Sequence, residues 1–137
     1  MPPSTPRVIA IFNSSDDMIE LLRMEFERHD FVVLSGHVSE VRRGTIDLKS
    51  LLDQHKPQVI VYDLVPPYDR QWQFLDHLRQ TSPLNRIPFV ITCSNEKAAR
   101  ELTRPDEQVY EVLGRPFEIE ALIAVVRQAA KLDTATE

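Results

Sequence analysis

Short apolar runs alternate with amphipathic segments five times along this chain of 137 residues. Most of the runs are rich in β-branched residues, which is typical of strands that are buried on both faces. The runs lie at residues 8–12, 31–34, 59–62, 89–92 and 110–113. Because this alternation favours βαβ units, the sequence predicts a single-domain (βα)5 fold of the α/β class. It would be a doubly wound sandwich with a five-stranded parallel sheet and helices on both faces.

The segments between the runs carry apolar residues at helical spacing. Leu22, Leu75 and Leu122 each belong to such a face, and the segment 96–102 has a weaker one. We expect Ser94 to cap this weaker helix, because its hydroxyl can accept a hydrogen bond from a first-turn amide. Helices of this kind cover a parallel sheet by burying one face each.

The segment 35–45 does not fit the alternation. It contains the polar cluster Glu40-Val41-Arg42-Arg43 and shows no extended apolar face. We interpret it as a long solvated loop, with a docking site for a partner as the less favoured alternative.

Composition argues against several classes of function. The net charge of −5 without a basic face argues against nucleic acid as a partner, and the short apolar runs argue against a membrane span. The single cysteine, Cys93, fits a reducing cytoplasm, and the four histidines lack metal-ligand spacing. We expect one cytoplasmic domain over residues 7–131, a disordered N-terminus at 1–6 and a C-terminal tail at 132–137.

Asp63 is the most informative polar residue, because it closes the third apolar run. The carboxyl ends of parallel strands form the edge at which open α/β folds bind ligands. Arg115 follows the fifth run, so its guanidinium can face this carboxylate from a neighbouring strand end. The sequence therefore predicts a functional site around Asp63.

Three short motifs accompany these strands. Pro57-x5-Asp63-Leu64 spans the third run, Ile87-Pro88 opens the fourth, and Arg115-Pro116-Phe117 opens the last helix. In this order, on a five-fold β/α alternation, they resemble the receiver domains of two-component response regulators. The resemblance covers residues 7–131 and implies the strand order 2-1-3-4-5. It also implies that Asp63 occupies the phosphoacceptor position, which takes a phosphoryl group from a phosphohistidine of a partner kinase with the help of Mg²⁺.

The expected Mg²⁺ ligands are the largest departure from that pattern. Receivers carry two acids at the end of the first strand, where this chain has Asn13 and Ser14. Each lost ion pair removes on the order of 4 kcal/mol of attraction at about 4 Å before desolvation. Asp16 could join Asp63 and Asn13 as a weak metal set. We favour Asp16 and Asp17 as first-turn acids of a helix capped by Ser14, so Mg²⁺ is expected to bind weakly and no other cofactor is expected.

Other positions of the receiver pattern are altered as well. Arg115 stands where receivers have a lysine, and its guanidinium group can bind either a phosphate or the Asp63 carboxylate. Cys93 stands at the switch hydroxyl position with Thr92 one residue earlier, and we expect the thiol to pack in the core. By resemblance, Pro116 follows a cis peptide bond.

Aromatic residues near the site differ from the pattern too. Val112 stands where receivers often have a rotating aromatic ring, and Tyr110 is predicted to point to the same side of the strand. Tyr68 and Trp72 lie beside the segment after Asp63, which Pro66 and Pro67 make stiff. We expect them to cap the core, with a cover over the pocket as the alternative.

These residues favour a stand-alone receiver-like signalling module with impaired phosphotransfer. Such a module is not an enzyme, and it acts by binding a histidine kinase, a phosphotransfer protein, a downstream effector or a second copy of itself. No output domain follows the last helix in this sequence, so we expect output through such partners. The first alternative is a fully functional Mg²⁺-dependent phosphoacceptor. A third is a small flavodoxin-like enzyme or nucleotide-binding protein, which is disfavoured because none of the three glycines forms a phosphate loop.

Overall fold

Five parallel strands form one sheet in the order β2-β1-β3-β4-β5, which confirms the predicted topology. The strands are β1 (Arg7–Asn13), β2 (Phe31–His37), β3 (Val59–Asp63), β4 (Phe89–Cys93) and β5 (Val109–Gly114). This computed structural model describes residues 7–80, 86–104, 106 and 108–135, so the predicted disordered segment 1–6 lies outside it. β2 lies on one side of β1 and β3 lies on the other, so the direction in which strands are added to the sheet reverses at β1. The carboxyl ends of β1 and β3 therefore lie next to each other.

Within the ranges that the structure describes, six helices connect and cover the strands. They are α1 (Asp16–Arg28), α2 (Val38–Arg43), α3 (Leu48–His55), α4 (Tyr68–Arg79), α5 (Glu96–Thr103) and α6 (Ile119–Ala135). The last helix therefore continues into the segment 132–137 that we assigned to a tail. No described helix combines the length and the apolar character needed to cross a bilayer.

The sheet has an apolar core on each face, as the doubly wound prediction requires. On one face, α1 and α6 cover the sheet through Leu22, Phe26 and Val126. On the other face, α2 to α5 cover it through residues such as Leu52 and Leu75. The central strands β1, β3 and β4 are buried on both sides over most of their length, which explains why their sequences are continuously apolar.

The segment 35–45 is not a loop, so that prediction was wrong. Its first residues extend β2, and α2 follows directly. The His37 ring accepts a hydrogen bond from the Ser39 amide, and the Glu40 side chain accepts one from the His37 amide. Val38 and Val41 are buried against the core. Two apolar residues one turn apart are too short a pattern to predict a helix from sequence.

Two predicted helix caps are displaced by one residue. Ser15, rather than Ser14, accepts the hydrogen bond from the Met18 amide at the start of α1. Asn95, rather than Ser94, accepts from the Ala98 amide at the start of α5. In both cases the preceding serine hydroxyl is engaged by a residue distant in sequence, which local pattern does not show.

A register irregularity in β5 overturns the prediction for Tyr110. The pairing of β4 with β5 shifts between Phe89 and Val90, so one extra residue enters β5. Val112 consequently packs in the core beneath α5, whereas Tyr110 packs on the opposite face, which α6 covers. The two side chains therefore lie on opposite sides of the sheet and not on the same side.

Candidate functional site around Asp63

Asp63 ends β3 at the carboxyl edge of the sheet and is fully buried. The adjoining ends of β1 and β4 supply the residues directly beside it, and the segment after β5 reaches over from the far side. A buried carboxylate is costly unless it is paired or hydrogen-bonded. The partners of Asp63 therefore define the state of this site.

Both oxygens of the Asp63 carboxylate are engaged by three side chains. Ser14 donates its hydroxyl to Oδ2 at 2.6 Å, and Thr92 donates its hydroxyl to Oδ1 at 2.7 Å. Arg115 Nη1 forms a salt bridge with the same Oδ1. A carboxylate that accepts two hydroxyls and one guanidinium is charge-compensated within the protein itself.

The backbone fixes Arg115 in position over the carboxylate. Its amide donates to the Cys93 carbonyl at 2.7 Å, which ties the end of β5 to the end of β4. The peptide bond between Arg115 and Pro116 is cis, as is the Pro66–Pro67 bond. The guanidinium side chain is one-third exposed and also borders a cavity of about 180 Å³.

Asn13 is buried beside the site, but its side chain is hydrogen-bonded to the backbone. Its Oδ1 accepts a hydrogen bond from the Ser15 amide at 3.0 Å and so shapes the turn that leads into α1. Asp16 and Asp17 are exposed in the first turn of α1. Within the described residues, no cluster of three or more His, Cys, Asp or Glu side chains is arranged to hold a metal ion.

Thr92 and Cys93 point to different surroundings because they are adjacent in a strand. Thr92 pairs with Asp63 in the parallel register, so the two side chains lie on the same side of the sheet. Cys93 packs in the core, and its thiol contacts the Leu113 carbonyl at 3.8 Å. Burial raises the pKa of the Cys93 thiol above its usual value. Of these two neighbouring residues, Thr92 is therefore the one that contacts Asp63.

Tyr68 packs against the core, and its hydroxyl also binds the loop between β4 and α5, a contact that the sequence did not reveal. Its hydroxyl accepts hydrogen bonds from the Ser94 and Asn95 amides at 3.0 and 2.8 Å, and it lies 2.9 Å from the Ser94 hydroxyl. On the other side of the same loop, Glu96 accepts from the Gly114 amide at 3.1 Å. The loop between β4 and α5 is thus held from both sides, by α4 and by β5.

The other predicted aromatic, Trp72, caps the core. It packs against the cluster beneath α4, and the guanidinium of the buried Arg79 lies 4.6 Å from the centre of its ring. Arg79 also forms salt bridges with Asp76 and Asp106. These contacts stabilise the end of α4.

No protein-family model matches this chain, and no curated protein matches it either. Solved structures do match it over almost its whole length. One is a sensor protein from Polaromonas sp. JS666, with 17% identity, a TM-score of 0.73 and coverage of 94% of this chain and 99% of that one. Another is a response regulator receiver domain protein from Clostridium thermocellum, with 14% identity, a TM-score of 0.73 and coverage of 96% and 99%.

A third is the chemotaxis protein CheY4 of Vibrio cholerae, with 13% identity, a TM-score of 0.72 and coverage of 91% and 99%. This chain has the receiver-domain fold. The identities are low, so the likeness concerns the path of the chain and leaves the chemistry to its own residues. In this receiver-fold chain, the predicted residues Asp63, Arg115, Thr92 and Ser14 come together, whereas Cys93 packs elsewhere.

Proposed function

We propose that this chain is a receiver-like signalling module that acts by binding proteins, with an impaired phosphotransfer site. The observation that carries the proposal is the set of donors that hold Asp63. Its carboxylate is buried and bonded by Arg115, Thr92 and Ser14, so each oxygen already accepts at least one hydrogen bond. Because these donors, and the Arg115 cation above all, stabilise the resting carboxylate, the arrangement favours an ion pair over nucleophilic attack on phosphorus.

The donor set does not fit Mg²⁺ well. This ion prefers six oxygen ligands in octahedral geometry, with carboxylates among them. Here Asp63 supplies the only formal negative charge among the expected ligand positions, and Arg115 already neutralises it. The oxygen of Asn13 accepts from a backbone amide, and the hydroxyl of Ser14 donates to Asp63. Mg²⁺ would have to displace these contacts, which supports weak binding.

One observation favours the alternative, a working Mg²⁺-dependent phosphoacceptor. Asp63 lies at the sheet edge with a cation beside it, and the Arg115 side chain is accessible enough to swing aside. Under either reading the module works by contact with other proteins in the cytoplasm. The candidate partners are a histidine kinase, a phosphotransfer protein, a downstream effector or a second copy of this chain.

Phosphorylation by a small donor separates the two readings. The protein is incubated with acetyl phosphate and Mg²⁺, and intact-protein mass spectrometry measures the phosphoryl adduct. We expect no stoichiometric adduct on the natural sequence. An adduct that disappears in Asp63→Asn would overturn the proposal and establish the phosphoacceptor.

A matched variant tests whether the two missing acids are the reason for weak Mg²⁺ binding. Asn13→Asp combined with Ser14→Asp restores the two missing anions. Because a ligand that binds only the folded state stabilises it, Mg²⁺ should raise the melting temperature of this variant and leave that of the natural protein unchanged. Equal stabilisation of both proteins by Mg²⁺ would show that the two substitutions do not limit metal binding.

A further inference from the structure

A groove between α2, α3 and α4 has no role in the site around Asp63. It has a volume of about 360 Å³, and its apolar floor includes Ile46, Phe74 and Leu78. All three side chains are only partly buried and pack against the core from outside. The groove is therefore continuous with the core but open to solvent, and its volume lies within the range of pockets that bind ligands.

The wall of this groove is anchored to the rest of the fold. Val38 and Val41 anchor α2 in the core. The helix ends at Gly44, whose φ of 78° is a left-handed conformation that favours glycine, and the Ile46 amide then bonds back to the Glu40 carbonyl at 3.2 Å. A preformed wall lowers the entropy cost of binding, since little of it has to be ordered on contact.

The rim of the groove is positively charged although the whole chain carries −5. Arg42, Arg43 and Lys49 are exposed along it. Within the described residues, none of these three cations forms a salt bridge. Asp47 also borders the groove and offsets part of the charge of Lys49, while its carboxylate caps α3 through Ser50.

We propose that this groove docks an acidic amphipathic helix of a partner protein. Its apolar side chains would lie against Ile46, Phe74 and Leu78, and its carboxylates would face Arg42, Arg43 and Lys49. A helix that places apolar anchors in a groove and charges at its rim is a common mode of peptide recognition. The apolar floor favours such a peptide over a nucleic acid, because interfaces with nucleic acids are more polar than those between proteins.

The proposal goes beyond the proposed function and is independent of the chemistry at Asp63. The groove residues are neither ligands of Asp63 nor part of its surroundings. A phosphorylation test at Asp63 can therefore fail while this docking surface holds, and the reverse is equally possible.

Selection from a random peptide display library tests the surface without a known partner. The folded protein is the bait, and enriched peptides are synthesised and titrated into isotope-labelled protein. The variant Arg42→Glu with Arg43→Glu reverses the charge of the rim, and both side chains are exposed, so the fold should be kept. The matched control, Lys97→Glu with Arg104→Glu, makes the same change in net charge on exposed residues of α5 and its end.

We expect enriched peptides that combine acids with large apolar residues at helical spacing, and amide shifts concentrated on α2, α3 and α4. Charge reversal of Arg42 and Arg43 should weaken binding at least ~10-fold, and the α5 control should change it about two-fold or less. Replacing the apolar residues of the peptide with serine should abolish binding. The proposal is overturned by a failure to enrich such peptides, by shifts elsewhere, by equal effects of the two variants, or by displacement with duplex DNA or anionic vesicles.

Discussion

Replacing Arg115 with alanine removes the cation that, among the described residues, forms a salt bridge with the buried carboxylate of Asp63. Removing one partner of a buried ion pair costs about 3–5 kcal/mol, because the remaining charge is left uncompensated. Here the cost is lower for two reasons. The Ser14 and Thr92 hydroxyls still donate to the carboxylate, and the Arg115 side chain is 33% exposed, so water can take its place. We expect a loss of about 2–3 kcal/mol in the free energy of unfolding.

Urea denaturation followed by the fluorescence of Trp72 measures this loss. A double-mutant cycle with Asp63→Asn isolates the pair, because Arg115→Ala should cost little once the charge at residue 63 is gone. We expect a coupling energy of about 2 kcal/mol. As a control, Arg23→Ala breaks the exposed Arg23–Glu27 salt bridge and should cost no more than about 1 kcal/mol.

A coupling energy below about 0.5 kcal/mol would refute the reasoning, since that is the usual error of additivity between independent sites. Such a result would mean that the hydroxyls alone compensate the carboxylate. The inference of a stable resting ion pair, and with it the main argument against phosphoryl transfer, would then fall.

Three further outcomes are expected. Burial raises the pKa of Tyr62 from 10.0 to about 12, with Arg42 opposing it, so the fold favours the neutral tyrosine. Stability should therefore fall by about 2 kcal/mol between pH 10 and 12 relative to Tyr62→Phe in urea titrations. The hydrogen bond from Arg79 lowers the pKa of Asp106 below 3.8. The stability that ionised Asp106 contributes is therefore complete above that pH and is lost as the pH falls further. In acid unfolding experiments, Asp106→Asn should lack this pH-dependent loss of stability. Tyr68→Phe removes the hydroxyl that accepts a hydrogen bond from the Ser94 amide, a contact worth about 1 kcal/mol. Hydrogen exchange at that amide should therefore be about five-fold faster, and an unchanged rate would contradict the contact between Tyr68 and the loop.

Much of the fold was readable from sequence because its signals are local. Each strand is a short apolar run, and each long helix shows its own apolar face. Parallel strands place their carboxyl ends at one edge, so Asp63 and Arg115 could be assigned to the same site from their positions in these runs. The helix α2 was not predicted, because two buried valines at 38 and 41 are too few to show a helical period.

The partners of Asp63 were decided by the tertiary structure. A strand alternates sides at every residue, so a choice between Thr92 and Cys93 depends on register, which is set by packing of the whole sheet. The Ser14 contact and the Tyr68 contacts join residues 49 and 26 positions apart, and no local pattern encodes such distances.

The sequence by itself determined the order of the strands and longer helices along the chain, the edge at which the site lies and the two charged residues that meet there. It did so because local periodicity and strand polarity act within a few residues of chain. Only the tertiary structure decided that Ser14, Thr92 and Arg115 together occupy the Asp63 carboxylate, since hydrogen bonds form between groups that packing brings within about 3 Å.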